Sequence, residues 1–316
     1  MGKKALTNKK IETLVGKIIR TYEGDIGINF IDVSNLPVRE KIIEILDLLM
    51  EVLFPGYTGK RSITKSNVKY IVVDILYHLY TELCEQIERA YRYGCRMAEC
   101  DTGDCRKMAQ DAAQNLLNQM PKIRQLLKGD VAAAFDGDPA AKSYEEVVLS
   151  YPCIIAIATY RIAHELYIKD VPLIPRIMTE CAHAQTGIDI HPGAKIGKNF
   201  FIDHGTGVVI GETTVIGKNV KIYQGATLGA LSFTKDERGR IIKGGKRHPT
   251  IQDNVTIYAE ATILGDVVIG KGAVIGGNVW IKQSVPPGVT VTTPNPDLVY
   301  KKHSHGKNQK QSPERK

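Results

Sequence analysis

No stretch of this 316-residue chain comes near the roughly 18 consecutive apolar residues that a membrane-spanning helix needs; the longest apolar run, around Tyr151 to Tyr160, falls well short. The first residues, Met1-Gly2-Lys3-Lys4-Ala5-Leu6, are basic but lead into no hydrophobic segment, and Leu6 stands where a myristoylation signal wants Ser or Thr. A cytoplasmic protein without membrane contact is expected. Basic faces interleaved with aromatics are also missing, and so is any reader motif, which argues against nucleic acid as a partner. The net charge of +8 has a plainer origin. Lys3, Lys4, Lys9 and Lys10 lie at the front and Lys301, Lys302, Lys307, Lys310, Arg315 and Lys316 behind, as solvated tails. The same surplus suits a polyanionic small ligand.

Paired C-x-x-C spacing is absent as well. Cys95, Cys100 and Cys105 stand five apart, a pattern of neither zinc nor iron–sulfur sites, so no metal is expected. Cys84, Cys153 and Cys181 lie among apolar residues and read as small core hydrophobes. Without a secretory signal, disulfides are not expected.

What the second half does have is a period of six. Ile251, Ile257, Ile263, Ile269, Ile275 and Ile281 recur without a slip, each followed four residues later by Val255, Ala261, Val267, Ala273, Val279 and Val285. Neither a helix nor simple strand alternation repeats at six, whereas a coil that turns a corner every six residues does. The phrase begins earlier as Ile190, Ile196, Ile202 and Val208, with Ala194, Phe200 and Thr206 four residues on. It then shifts by two and resumes at Ile210, Ile216, Ile222 and Leu228. The reading is a β-solenoid.

The first 186 residues read as helical. Ile42, Ile45, Leu46, Leu49 and Leu53 form an apolar stripe that should end before Pro55-Gly56. Further helices are expected over about 66–92, 107–127, 140–150, 152–168 and 172–185, punctuated by Gly103, Gly129, Gly137, Pro152 and Pro172. The expected organisation is α+β: an all-α domain over 1–186, a solenoid over 187–293 and a basic tail over 294–316. Two interruptions break the solenoid. One is the slip at Asp203-His204-Gly205-Thr206-Gly207; the other is a polar segment within about 231–247 that must loop out, as insertions on solenoids do at binding faces.

Asp189-Ile190-His191-Pro192-Gly193-Ala194-Lys195-Ile196-Gly197, Asp203-His204-Gly205-Thr206-Gly207, Gly211-Glu212-Thr213, Thr227-Leu228-Gly229, Arg247-His248-Pro249 and Val285-Pro286-Pro287-Gly288 together resemble bacterial-type serine O-acetyltransferases. The upstream Asp138-Pro139-Ala140 and Tyr160-Arg161-Ile162-Ala163-His164 resemble them too, so the likeness spans about 138–293. It implies a left-handed parallel β-helix of hexapeptide repeats and transfer of acetyl from acetyl-CoA to the L-serine hydroxyl, the first step from serine towards cysteine. His204 would be the general base, since an imidazole titrating near pH 6.5 suits proton abstraction around neutrality, and Asp189 would orient it as a dyad. Asp138 and Asp203 would bind the serine amino group, and Arg247 with His248 its carboxylate, for which a guanidinium has the right shape. Coenzyme A would lie in a groove between neighbouring solenoids lined by Ala230, Ala259 and Gly277, with Lys282 or a cation of the 235–246 loop near its phosphates. The resemblance further implies a homotrimer, paired through the helical domains into a hexamer, and feedback inhibition by L-cysteine in the serine site. Docking on the sulfhydrylase that makes cysteine is not expected, because relatives that do so end in isoleucine and this chain ends in Lys316.

Each site residue also has a structural reading. Asp138 before Pro139 could be a helix N-cap, Asp189 and Asp203 could close turns, and Glu212 could be a corner residue without a role. His78, His164, His183 and His191 read as structural, and His303 and His305 as tail. Three rivals keep the solenoid. A sugar acyltransferase would not need anchors for a zwitterion, a zinc-dependent carbonic anhydrase would need three converging histidines, and a scaffold would tolerate loss of His204 and Asp189.

Overall fold

The computed structural model describes residues 8–23, 28–31, 36–59, 61–97, 104–232, 236–240, 242, 244–294 and 299–301. Cys100, part of the 231–247 segment and most of the basic tail therefore lie outside the described residues.

Among the described residues seven helices precede fourteen short strands: α1 (Asn8–Arg20), α2 (Arg39–Leu53), α3 (Val68–Met97), α4 (Cys105–Gly137), α5 (Tyr144–Ser150), α6 (Pro152–Tyr167) and α7 (Ile174–Thr186). The apolar stripe of α2 is buried as its spacing requires, at 0–6% exposure. Of two glycines expected to punctuate the chain, Gly137 is the last residue of α4 but Gly129 lies inside it. Helix α4 runs straight through Gly129 to Gly137, because a Cβ at Gly129 would lie 2.4 Å from Asn199 Oδ1 and one at Gly137 2.9 Å from the Phe201 ring. They are contact glycines that let α4 lie against the solenoid. The helix expected from residue 140 starts instead at Tyr144, where Ser143 accepts a hydrogen bond from the Glu146 N–H. Asp138 is correspondingly the residue that ends α4 rather than the cap of the next helix.

Helix α6 is buried along most of its length and clamps the first coil. Tyr160 Oη donates to Ala194 O (2.7 Å) and accepts from Ile196 N (3.1 Å). Arg161 grips Asp130 of α4 through Nε (2.7 Å) and Nη2 (2.9 Å), and the same carboxylate accepts from Phe200 N. This buried pair, with Arg161 also donating to Gly197 O at 2.9 Å, ties α4, α6 and the solenoid together. Among the described residues no single helix is long and apolar enough to cross a membrane; only α5 and α6 taken together, bent by 75° at their junction, reach that length and composition.

The strands form three parallel sheets, each one side of a left-handed β-helix. Sheet one holds β1 (Asp189–Ile190), β4 (Val209–Ile210), β7 (Thr227–Gly229), β10 (Thr262–Leu264) and β13 (Trp280–Ile281). Sheet two holds β2 (Lys195–Ile196), β5 (Val215–Ile216), β8 (Thr250–Ile251) and β11 (Val268–Ile269). Sheet three holds β3 (Phe201–Asp203), β6 (Lys221–Tyr223), β9 (Thr256–Ile257), β12 (Val274–Ile275) and β14 (Thr290–Val291). The six-residue isoleucines from 251 to 281 and their partners four residues on are all buried, none more than 8% exposed. Each circuit has three corners, named here first (sheet one to two), second (two to three) and third (three to the next coil). The second corner is an asparagine ladder. Asn199, Asn219 and Asn254 all adopt left-handed φ of 53–60°, and their side-chain amides bond to one another at 2.7 and 2.8 Å.

Candidate active site

Register locates both interruptions. Asp203 pairs with Tyr223, twenty residues on, whereas Val209 pairs with Thr227, eighteen on, so two extra residues sit between Asp203 and Val209 at the third corner of the first coil. The phase shift is complete by Val208, which is buried, while Thr206, expected to point inward, is exposed. The extra residues bulge outward in left-handed conformations, with φ of 59° at His204, 91° at Gly205 and 81° at Gly207, and leave the His204 side chain 72% exposed.

Around this bulge three carboxylate-bearing or aromatic groups converge. Asp203 is buried beneath the imidazole, its Oδ1 3.9 Å from His204 Nε2 and its Oδ2 3.1 Å from Lys221 Nζ. Lys221 also donates to Gly137 O (2.6 Å), joining the end of α4 to sheet three. Asp138 Oδ1 accepts from Ala140 N (2.8 Å) and Oδ2 from Tyr151 Oη (2.5 Å). The Tyr151 hydroxyl, then the Ala140 N–H, hold Asp138 below the usual carboxylate range, so it is an anion at neutral pH. His204 lies close enough to Asp138 to add to that stabilisation. Tyr151 and Lys221 were not found from sequence: a tyrosine before Pro152 and a lysine opening a strand carry no motif, and only the fold brings them here.

The first corner holds the second cluster. The pairing of Thr227 with Thr262, thirty-five residues on, places the long insertion between β7 and β8, and Arg247-His248 closes it. Thr213 Oγ1 accepts from Arg247 N (3.0 Å) and His248 N (3.1 Å), while Thr213 N donates to His248 Nδ1 (3.1 Å). With Nδ1 accepting, the ring proton sits on Nε2. Burial first, then the neighbouring Arg247 guanidinium, push the imidazole down to about 4, so His248 is a neutral donor at pH 7. Gly211 must be glycine, because a Cβ there would lie 2.1–2.2 Å from the His248 ring. Lys246 Nζ bonds to the carbonyls of Thr213 (2.7 Å), His248 (2.5 Å) and Pro249 (3.2 Å), and Arg247 Nη2 bonds to Glu212 Oε2. His191 belongs to this cluster too. Its Nδ1 accepts from Gly193 N (3.0 Å), and burial, then Arg176, lowers its pKa.

Asp189 stands between the clusters on the outer face of sheet one. Its N–H bonds to Val208 O (2.9 Å), at the base of the His204 bulge, but its carboxylate faces Arg176 Nη1 at 4.0 Å and lies in one group with Glu180 and His183. No hydrogen bond joins Asp189 to His204 within the chain. The small residues also divide. Ala259 and Gly277 stack at the third corner above His204, Asn278 N bonding to Ala259 O, whereas Ala230 and Lys282 follow strands of sheet one at the first corner, Lys282 Nζ 5.9 Å from the Trp280 ring. The two clusters thus lie at opposite ends of the sheet-one strands, about 15 Å apart at some 3.3 Å per residue.

Residues 248–283 match the family model of the bacterial transferase hexapeptide (six repeats). A serine acetyltransferase of Synechococcus elongatus is 48% identical over 256 residues, 80% of each chain. The chain belongs to the serine acetyltransferase family. Serine acetyltransferase of Bacillus subtilis is 46% identical over 167 residues, 53% of this chain and 73% of that one. Among solved structures, serine acetyltransferase isoform 3 of Entamoeba histolytica in complex with cysteine superposes with a TM-score of 0.70 at 34% identity, covering 94% of this chain and 96% of that one. The soybean serine acetyltransferase complexed with serine covers 80% and 96%, at 31% identity and a TM-score of 0.51. The protein is therefore an acyltransferase, and the two corners are where its chemistry has to be sought.

Proposed function

We propose that the protein transfers acetyl from acetyl-CoA to the hydroxyl of L-serine at sites formed where the third corner of one copy meets the first corner of the next. His204 takes the hydroxyl proton as the serine oxygen bonds to the acetyl carbon. The carbon–sulfur bond then breaks and the proton passes to the departing CoA thiolate. Asp138 and Asp203 bind the ammonium group, and Arg247 and the Nε2–H of His248 take the carboxylate. Asp189, tied through its backbone to the His204 bulge, turns from Arg176 to orient the imidazole when the site is complete. Ala259 and Gly277 of one copy and Ala230 and Lys282 of the next line the coenzyme A groove.

The observation that carries this reading is the division of the two half-sites. Anchors for an ammonium and for a carboxylate lie at opposite ends of the strands of one sheet, further apart than one amino acid spans, and a closed ring of three copies brings unlike ends together. The apolar side chains of α1, Ile11, Leu14, Val15, Ile18 and Ile19, are 43–53% exposed, Tyr70 and Tyr77 of α3 are 73% and 77% exposed, and we propose that these faces pair two trimers. L-Cysteine, which differs from serine by sulfur for oxygen, would occupy the same anchors as an inhibitor.

Free-thiol release from acetyl-CoA with L-serine, homoserine, a sugar or no acceptor tests the substrate. Serine-dependent release is expected, and release with a sugar alone would move the acceptor while keeping the fold. Mixing His204→Ala and Arg247→Ala chains tests the shared site: mixed oligomers should be well above the residual activity of either variant alone.

A further inference from the structure

Glu212 follows β4 at the first corner, and the geometry gives it a task. Its two oxygens serve different partners: Oε1 accepts from Tyr167 Oη at 2.7 Å, and Oε2 from Arg247 Nη2. Tyr167 is the last residue of α6, the helix that clamps the first coil, so a continuous path runs from the helical domain through Glu212 to the guanidinium. The path is tightly built. A Cβ at Gly193 would lie 3.0 Å from Glu212 Cγ and from the Tyr167 hydroxyl, and the Tyr167 ring meets His191 edge-on with centroids 5.7 Å apart. Arg247 and Glu212 side chains are only 27% and 28% exposed, which sets this pair apart from solvated surface bridges.

An arginine at the end of a long insertion has many rotamers of similar energy, and a bidentate contact with a planar carboxylate needs one of them. We propose that Tyr167 and Glu212 are positioning residues, holding the Arg247 guanidinium so that its remaining N–H groups face the acceptor's carboxylate. This rests on reading Arg247 as that carboxylate's anchor. Glu212 pairs with Arg247, while the other cation of the cluster, Lys246, has its own carboxylate in Asp266 at 4.0 Å. The Tyr167 hydroxyl, ahead of Arg247, keeps the Glu212 carboxyl below its ordinary range, so it stays an acceptor at neutral pH rather than acting as a base.

The test is thiol release against L-serine concentration for Tyr167→Phe, Glu212→Gln, Arg247→Ala and the Glu212→Gln/Arg247→Ala double variant, with thermal melts alongside. Tyr167→Phe should raise KM for serine about fivefold and Glu212→Gln about tenfold, with kcat and KM for acetyl-CoA within about twofold of the parent. The double variant should be no worse than Arg247→Ala alone, because the carboxylate acts through the guanidinium. A purely structural role would lower melting temperature and kcat together and leave KM for serine in place; that result, or additive losses in the double variant, overturns the proposal. Should Glu212→Gln fail to fold, Tyr167→Phe, which removes one oxygen, decides. A parent that turns over serine while these variants keep its KM sinks positioning alone. A parent without serine-dependent release sinks the assignment of Arg247 and the proposal with it.

Discussion

Two corners of the same solenoid follow opposite rules. At the second corner successive coils repeat one solution, Asn199, Asn219 and Asn254 in the same left-handed conformation with their amides bonded in a ladder, and the fourth coil substitutes Gly272 at φ 70°. At the third corner the later coils turn through single left-handed residues, Gly225, Glu260 and Asn278, but the first carries two extra residues and three left-handed conformations around His204. Repetition marks where the chain solves a folding problem. Departure from it marks where an irregular left-handed backbone is held in place by the surrounding coils.

The sharpest way to break this contrast is at His204 itself. His204→Ala should lower kcat for serine acetylation by about 10²–10⁴, the range for loss of a general base, with an unchanged melting temperature because the side chain is mostly exposed. Deleting Gly205 and Thr206 would give the first coil the eighteen-residue circuit of its neighbours. The solenoid should persist by circular dichroism while serine-dependent thiol release falls to the His204→Ala level. Activity surviving the deletion would show that the bulge is incidental.

Stability should respond elsewhere. Arg161→Ala leaves Asp130 buried without its partner and should cost about 3–5 kcal/mol in denaturant unfolding, since the pair also carries the junction of α4, α6 and the first coil. Asn219→Ala, at the repetitive corner, should cost about 1–2 kcal/mol, because it removes the amide bonds to Asn199 and Asn254 and the polar side chain that tolerates left-handed backbone, and Asn219→Gly less, since glycine adopts that backbone freely. Neither Asn219 variant should change kcat; a fall there would erase the distinction between the corners.

The smallest effect is a pH dependence. His248 has its pKa pushed down from 6.5 to about 4, so the unfolded chain binds more protons between those values and the native state loses stability as pH falls through that window. Lys246, Arg247, Glu212 and His191 surround the ring, and His191 shifts in the same direction. His248→Gln should flatten the dependence of melting temperature on pH between about 4 and 6.5.

The architecture was legible because it rests on local periodicity. A six-residue return of isoleucine can be satisfied only by a three-sided coil, and the α2 stripe only by a helix with one buried face. The slip at 203–207 and the loop before Arg247 were visible for the same reason, as failures of a rule. Gly137 does end α4, but Gly129 was misread, because in sequence a glycine that ends a helix looks like one that admits a neighbour, and only the approach of Asn199 shows which Gly129 is.

By itself, then, the sequence determined the winding, the inward residues, the two interruptions and the family resemblance, all written in spacing along the chain. Tertiary structure alone decided that Tyr151 caps Asp138, that Lys221 pairs with Asp203, that Thr213 fixes the His248 proton on Nε2, and that Tyr167 reaches Arg247 through Glu212. It also decided that the Asp138–Asp203 cluster and Arg247-His248 fall at opposite ends of the sheet-one strands. Hydrogen bonds and ion pairs act over about 3–4 Å between groups dozens of residues apart, and no local pattern records which of them the coils will stack together.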